Sequence, residues 1–306
     1  MADYTTKSPV LFLIFNRPDV TAVVFEQIRK VKPARLYIAA DGPRSDKENE
    51  QTLCREAREI STKVDWDCEV KRLFRDENLG CKYAVSSGIS WFFENEAEGI
   101  VLEDDCLPSE DFFIFCDAML EKYRHDSRIR HIGGSNFQQG KPWGTDSYYF
   151  SNLTHVWGWA SWRRAWKDYD VELSNYKTTD ARHFKNVFAD DIVSESWTNI
   201  FNKLKANGYN TWDYQWAITN FFNHGLSIIP NVNLISNIGF GANATHTQNF
   251  NDQFSNIKIE KLPEITHPTI ILPQKEADFF TLDHEFKIKK SRRKRQFRKL
   301  KFWKKK

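Results

Sequence analysis

The chain has 306 residues, 41% hydrophobic, 28% charged and 15% aromatic, with a formal net charge of +3. It is too apolar and aromatic for a disordered chain, and long enough for one large domain or two with an ample core. Residues 287–306 carry 13 of the 44 Lys and Arg and no carboxylate, leaving 31 basic against 41 acidic side chains in residues 1–286. An acidic body of net charge about −10 with a cationic tail is not a uniformly basic nucleic-acid binder.

No apolar run approaches the roughly 18 residues of a membrane span. The N-terminus does not read as a signal peptide: a basic n-region is missing, and Asn16-Arg17-Pro18 stands where small residues would be cleaved. Five cysteines, at 54, 68, 81, 106 and 116, form no C-x-x-C pair and are odd in number. Buried thiols in a reduced cytoplasmic location are therefore expected, and the sequons at Asn152 and Asn243 then carry no meaning.

In chain order, residues 9–15 predict a buried strand and residues 19–31 a helix with apolar Val20, Val23, Val24, Ile28 and Val31. Residues 35–40 predict a second strand, closed by the turn signal Asp41-Gly42-Pro43. A helix over 47–61, a strand over 68–74, a helix over 83–94 and a strand over 99–102 follow. Strands alternating with helices of this length indicate βαβ units and a parallel sheet, whose ligands bind beyond the carboxyl ends of the strands. That edge would carry Asn16-Arg17, Asp41-Gly42, Asp76-Glu77-Asn78 and Glu103-Asp104-Asp105, four polar loops converging on one crevice. From about residue 133 to 273 the texture changes to Trp, Asn and Phe with weaker periodicity. This reads as a second lobe built on the same sheet. The expected division is 1–135, 136–275 and a basic amphipathic tail over 276–306.

Three carboxylates directly after a buried strand repel one another unless a cation or donors relieve them. Hard oxygen ligands at this place suit Mg²⁺ or Mn²⁺, which take carboxylates together with substrate phosphates and water. A solvated acidic loop is the plain alternative. The placement at a strand end, followed by Leu107-Pro108 and an amphipathic segment over 112–120, favours the functional reading.

The run Val-Leu-Glu-Asp-Asp-Cys-Leu-Pro-Ser-Glu-Asp-Phe-Phe over 101–113 resembles the metal-binding segment of GT-A fold nucleotide-sugar glycosyltransferases, nearest the N-acetylglucosaminyltransferase I type. Phe15-Asn16-Arg17-Pro18 resembles that family's first-strand motif, and Asp41 its base-contacting Asp. Residues 76–82, with Asn78, Gly80 and Lys82, resemble its Asn-x-Gly segment. Trp157-Gly158-Trp159-Ala160 is similar to a Gly-Trp segment of the acceptor lobe, residues 211–216 to the Trp-Asp segment bearing the base, and residues 227–246 to the closing segment. The resemblance runs in the family's order over roughly residues 8–247. It implies a GT-A fold with a mostly parallel central sheet flanked by helices, in one large domain of two lobes. It also implies a metal-dependent inverting glycosyltransferase. Its donor would be a nucleoside diphosphate sugar, with UDP favoured, and its acceptor a glycan or lipid-linked hydroxyl in bacterial surface polysaccharide synthesis.

On that resemblance Asp105 is the metal ligand, Asp104 faces the ribose or metal-bound water, and Glu103 faces the donor sugar. Phe15, Asn16, Arg17, Asp41, Asn78, Gly80 and Lys82 form the rest of the donor site, Arg17 and Lys82 as cations near base or diphosphate. Asp213, set between Trp212 and Tyr214, is the candidate general base, since apolar surroundings would raise its pKa towards a useful range. The structural alternative is an N-cap for a helix over 214–222. His246 is a candidate second metal ligand or phosphate contact, with a purely structural histidine as the alternative. Trp162 and Trp166, four apart on a helix expected from 160 onward, belong in the core. Trp157, Gly158 and Trp159 are the expected acceptor contacts.

In the tail, Phe297, Leu300 and Trp303 would share a helical face ringed by bases. This suits peripheral attachment to an anionic inner membrane surface, where a lipid-linked acceptor would lie. A nucleic-acid arm is the less favoured reading. Two other functions compete with glycosyl transfer. One is a sugar nucleotidyltransferase, which would open with a Gly-rich loop that Asn16-Arg17-Pro18-Asp19 lacks. The other is a non-enzymatic carbohydrate- or nucleic-acid-binding protein.

Overall fold

The structure is a computed structural model that describes residues 4–239 and 257–294. Its first third is a run of βαβ units: β1 (Val10–Ile14), α1 (Pro18–Val31), β2 (Arg35–Ala40), α2 (Glu50–Ser61), β3 (Glu69–Phe74), α3 (Gly80–Asn95) and β4 (Glu98–Glu103). Strands β3, β2, β1 and β4 lie side by side in that order, all parallel. The reason is visible in β1, whose Val-Leu-Phe-Leu-Ile is buried at every position because helices cover both faces. Val10, Phe12 and Ile14 pack with α1 residues Val24, Phe25 and Ile28. Leu11 and Leu13 point the other way, onto Ile89 and Phe92 of α3. Pro18 starts α1, where its missing N–H costs nothing.

The chain then forms β5 (Cys106–Pro108), α4 (Glu110–Tyr123), β6 (Ile129–Gly133), β7 (Tyr148–Ser151), β8 (Trp159–Trp162) and, later, β9 (Leu226–Pro230). The sheet continues β4-β8-β6-β9-β7, with β8 antiparallel to both neighbours and β7 antiparallel to β9. Six of the eight strands therefore run one way. This is an α/β fold with a large, mostly parallel central sheet flanked by helices, consistent with a GT-A-like arrangement. A small separate ladder joins β10 (Ile235–Asn237) to β5.

The remaining helices, α5 (Arg163–Trp166), α6 (Phe184–Phe188), α7 (Asp191–Lys205), α8 (Asp213–Phe222) and α9 (Lys275–Phe286), cover the second lobe. Phe184, Trp197, Phe201, Phe221 and Leu282 form its own aromatic core. Two expectations change here. Residue 162 ends a strand, not a helical turn, because β8 inserts between β4 and β6. The body also extends past residue 276: Ala277 and Leu282 are fully buried, and Ile288 packs into the same core.

Candidate functional site

β4 delivers Glu103 at its carboxyl end, and Asp104 and Asp105 form the turn into β5. Asp104 is only 3% exposed, so it needs a partner. Arg17, in the loop after β1, supplies it: one guanidinium nitrogen bonds Asp104 closely and lies 3.0 Å from Asp105. The Phe15 backbone N–H also donates to Asp104, at 3.3 Å. Burial pushes the Glu103 carboxyl up, and the charges of Asp105, Asp104 and Asp213 push it further, against Arg17. Burial also raises Asp104, with Arg17 opposing. One guanidinium does not neutralise this cluster.

The segment expected from the resemblance to close the site, residues 227–246, reaches it through β10. Pairing of β10 with β5 carries the chain back to the triplet, where the Ile238 N–H donates to the Asp105 carbonyl at 2.9 Å. The next residue, Gly239, lies so close that a Cβ there would collide with the Asp105 carboxylate and the Arg17 guanidinium. The only sequence signal was a glycine after Ile238 in the segment resembling the family's closing region.

The second and third loops are tied together by Asp41. Its carboxylate accepts from the backbone N–H groups of Gly42 (2.9 Å), Leu79 (2.9 Å) and Gly80 (3.0 Å), and from Asn78 Nδ2 (2.9 Å). Asn78 also donates to the Gly42 carbonyl at 2.8 Å. Asp41, expected to meet a base, is thus occupied in clamping the start of α3, and Asn78 is part of that clamp. Gly80 takes a left-handed φ of 75°, which glycine adopts without strain. Asn16 donates to Glu50 at 2.8 Å, and the Arg44 guanidinium covers the Phe15 ring at 5.6 Å. Lys82 departs from its expected role. Its ammonium is buried against Glu172 (2.8 Å) and Asn207 (3.2 Å), a structural ion pair away from the triplet.

Asp213 is the first residue of α8. It does not cap that helix; Trp212 holds the N-cap position, and the Asp213 carboxylate accepts a short hydrogen bond from Thr211. Its preceding loop is fixed to α3, because Asn210 Oδ1 accepts from the Lys82 backbone N–H at 3.0 Å. Asp213 lies near enough to Glu103 to raise its pKa, and both raise the Cys81 thiol, after burial itself. Asp213 also lines a cavity of about 260 Å³ together with Trp157.

Trp159 and Gly158 do not belong to that surface. Trp159 is fully buried in β8, stacked on His131 (5.3 Å) and Trp212 (5.8 Å), so it reaches no acceptor. Gly158 is buried at φ 61°, and a Cβ there would strike Ile235, so it serves close packing. His246 lies outside the described residues.

Among the described residues, no group of three or more His, Cys, Asp and Glu is arranged to hold a metal. The donor chemistry fits a hard cation in a narrower way. Asp105 is a mostly buried carboxylate (17% exposed) in an acidic cluster that Arg17 relieves only in part, and Mg²⁺ or Mn²⁺ is commonly held by one or two carboxylates plus substrate phosphates and water. All five cysteines are free thiols, and no helix among the described residues is long and apolar enough to cross a membrane.

No family model matches the chain, and no curated protein does. Among solved structures the chain is similar to a UDP-glucose pyrophosphorylase complexed with UDP-glucose, with 11% identity over 73% of this chain and 90% of that one and a TM-score of 0.37. It is similar to the 4-diphosphocytidyl-2C-methyl-D-erythritol synthase of Anaerococcus prevotii, with 11% identity over 60% and 85% and a TM-score of 0.35. A cytidylyltransferase of Leptospira borgpetersenii serovar Hardjo-bovis is a third, with 11% identity over 62% and 71% and a TM-score of 0.32.

Proposed function

We propose that the chain transfers a sugar from a nucleoside diphosphate sugar, held at the carboxyl ends of β1 and β4, to a hydroxyl placed beside Asp213. The observation that carries this reading is the position of Asp213. Its charge acts on Glu103 at the end of β4, and it lines a cavity together with Trp157. This supports a two-substrate displacement in which Asp213 would serve as base between donor and acceptor. Arg17 would exchange its Asp105 contact for a diphosphate oxygen, a charge-assisted bond of the strong kind. Asp105 would hold Mg²⁺ or Mn²⁺, which when bound supplies Lewis acidity to the leaving diphosphate. Asp213 would take the proton of the attacking hydroxyl, and with a single base the sugar would invert.

Sugar nucleotidyl transfer, the activity named for UDP-glucose pyrophosphorylase among the similar solved structures, is the second reading. A triphosphate would then run along residues 16–19, where no glycine occurs and Pro18 has no N–H to offer. The two readings differ in product. With a UDP-sugar panel and Mn²⁺, glycosyl transfer releases UDP. With UTP and sugar 1-phosphates, nucleotidyl transfer releases pyrophosphate. Asp213→Asn is expected to lower UDP release by about 10²–10⁴-fold with nucleotide-sugar binding retained. Pyrophosphate release that ignores this substitution would overturn the glycosyltransferase reading.

We also propose that the basic end of the chain holds the enzyme on anionic lipid near a lipid-linked acceptor. Phe297, Leu300 and Trp303 lie outside the described residues. The described part is docked: Arg292 pairs with Asp190, and Lys289 with Asp283 at 3.0 Å. Charge for a membrane would come from beyond residue 294. Removing residues 295–306 should abolish sedimentation with phosphatidylserine vesicles, and undiminished binding would end this idea.

A further inference from the structure

The cavity beside Asp213 has walls unlike those of a pocket made to read sugar hydroxyls. Phe137, Val156, Trp157, Trp197, Tyr214 and Phe221 line it, joined by Leu153 and Ala217. Thr154, His155, Asp213, Thr281 and the Tyr214 hydroxyl are its polar members beside the two indoles, and apolar surface predominates. No Lys, Arg, Asn, Gln or Glu side chain is among the described residues that line it. Burial drives the His155 pKa down to about 4, so this ring is neutral and Asp213 is the one formal charge. The volume of about 260 Å³ compares with about 30 Å³ per molecule of liquid water, and suits one ring but not an oligosaccharide.

An anionic group would meet Asp213 with no cation to offset it.

Resting on the glycosyltransferase reading, we propose that this cavity accepts an uncharged group with a broad apolar face that carries the reacting hydroxyl. Aryl or alkyl glycosides and acylamino or deoxy sugars are of this class. The ring lies against Trp157 and Phe221.

Direct binding tests the assignment without turnover. The full chain is titrated with phenyl β-glucoside, methyl β-glucoside and phenyl phosphate, followed by calorimetry and tryptophan fluorescence. Phenyl glucoside is expected to bind about tenfold more tightly than methyl glucoside, the yield of burying roughly one ring face. Phenyl phosphate should bind at least about tenfold more weakly than phenyl glucoside, because it carries the ring with a charge of the wrong sign. Ala217→Leu, which fills the cavity, should erase the phenyl preference. Equal affinity for the two glucosides, or tighter phenyl phosphate, overturns the proposal. UDP release from a UDP-sugar, measured on the same preparation, separates the two layers: its absence with the phenyl preference intact removes the enzyme assignment and leaves the cavity's selectivity standing.

Discussion

Asp41 and Asp213 are carboxylates that are used in opposite ways. Asp41 follows β2 and spends its oxygens on four donors from its own loop and the next. Asp213 begins α8 and accepts from the neighbouring Thr211 hydroxyl. The contrast extends to the two walls. Along the strand ends, Asn16 answers Glu50, Lys82 answers Glu172, and the loops hold one another. The aromatic clusters differ: Trp159, Trp162 and Trp197 keep buried indole N–H groups with no partner among the described residues. A wall whose polar groups satisfy each other is a rigid frame. Ligand chemistry is to be sought at the acidic side chains that line open space or share one cation, Asp213 and the Glu103–Asp105 triplet.

The largest break in this comparison should come from Gly239. A methyl group there displaces the Asp105 carboxylate, since the backbone around β10 and β5 is held by its ladder. Gly239→Ala is expected to lower turnover by about 10²-fold or more, the scale of a misplacement near 1 Å. Gly239 packs in no core cluster, so the melting temperature should move little. Nucleotide-sugar affinity by calorimetry and thermal unfolding, measured together, check this. Wild-type affinity would mean that the Gly239 segment does not touch the donor.

Asp41→Ala should do the reverse, damaging the frame more than the chemistry. It strips partners from two backbone N–H groups of the α3 start and from Asn78. A hydrogen bond to a charged group contributes about 1.5–3 kcal/mol, and the losses are not additive, so about 3 kcal/mol is expected in denaturant unfolding. A loss of base specificity without a loss of stability would instead restore Asp41 to the donor site.

These two positions also show what could be read from residue order. The βαβ pattern was legible because buried parallel strands appear as unbroken apolar runs, and β1, β2 and β4 all do. The triplet and Arg17 were legible as charges at strand ends, and they do meet. What a motif residue bonds to was not legible. Asp41 and Lys82 have the chemistry of ligand contacts, yet their partners, Gly80 and Glu172, lie 39 and 90 residues away. Trp159 looked like a stacking platform, because a tryptophan beside a glycine looks alike whether its strand is inserted in a sheet or edges a cleft. β8 lies between β4 and β6, which settles the matter by burial. Gly239 was hidden for the same reason: its importance comes from the antiparallel return of β10, a contact between distant segments.

The smallest expected effect concerns acid, and it sharpens the difference between the walls. His131 is fully buried in the aromatic wall, its Nδ1 accepting from the Trp216 indole at 3.2 Å and its Nε2 3.0 Å from the His155 carbonyl. With one nitrogen accepting and the other donating, the ring is neutral, and burial lowers its pKa to about 3. The unfolded chain protonates this imidazole near the ordinary value of about 6.5, so between those two values the unfolded state binds more protons. Stability from His131 is therefore complete above about pH 6.5 and declines as pH falls, by about 1.4 kcal/mol per unit. Buried Asp278, raised to about 6, works the opposite way over roughly pH 4–6, because its folded form holds a proton that the unfolded chain has lost. Total stability mixes the two, and a difference separates them. His131→Gln should be less stable than wild type at pH 7, and the gap should close by up to about 3 kcal/mol on going to pH 4, since the substituted chain has no such proton to take up. Parallel urea titrations of the two proteins at several pH values measure it. A gap independent of pH would show that His131 carries its proton in the folded protein, and that the aromatic wall holds a second charge beside Asp213.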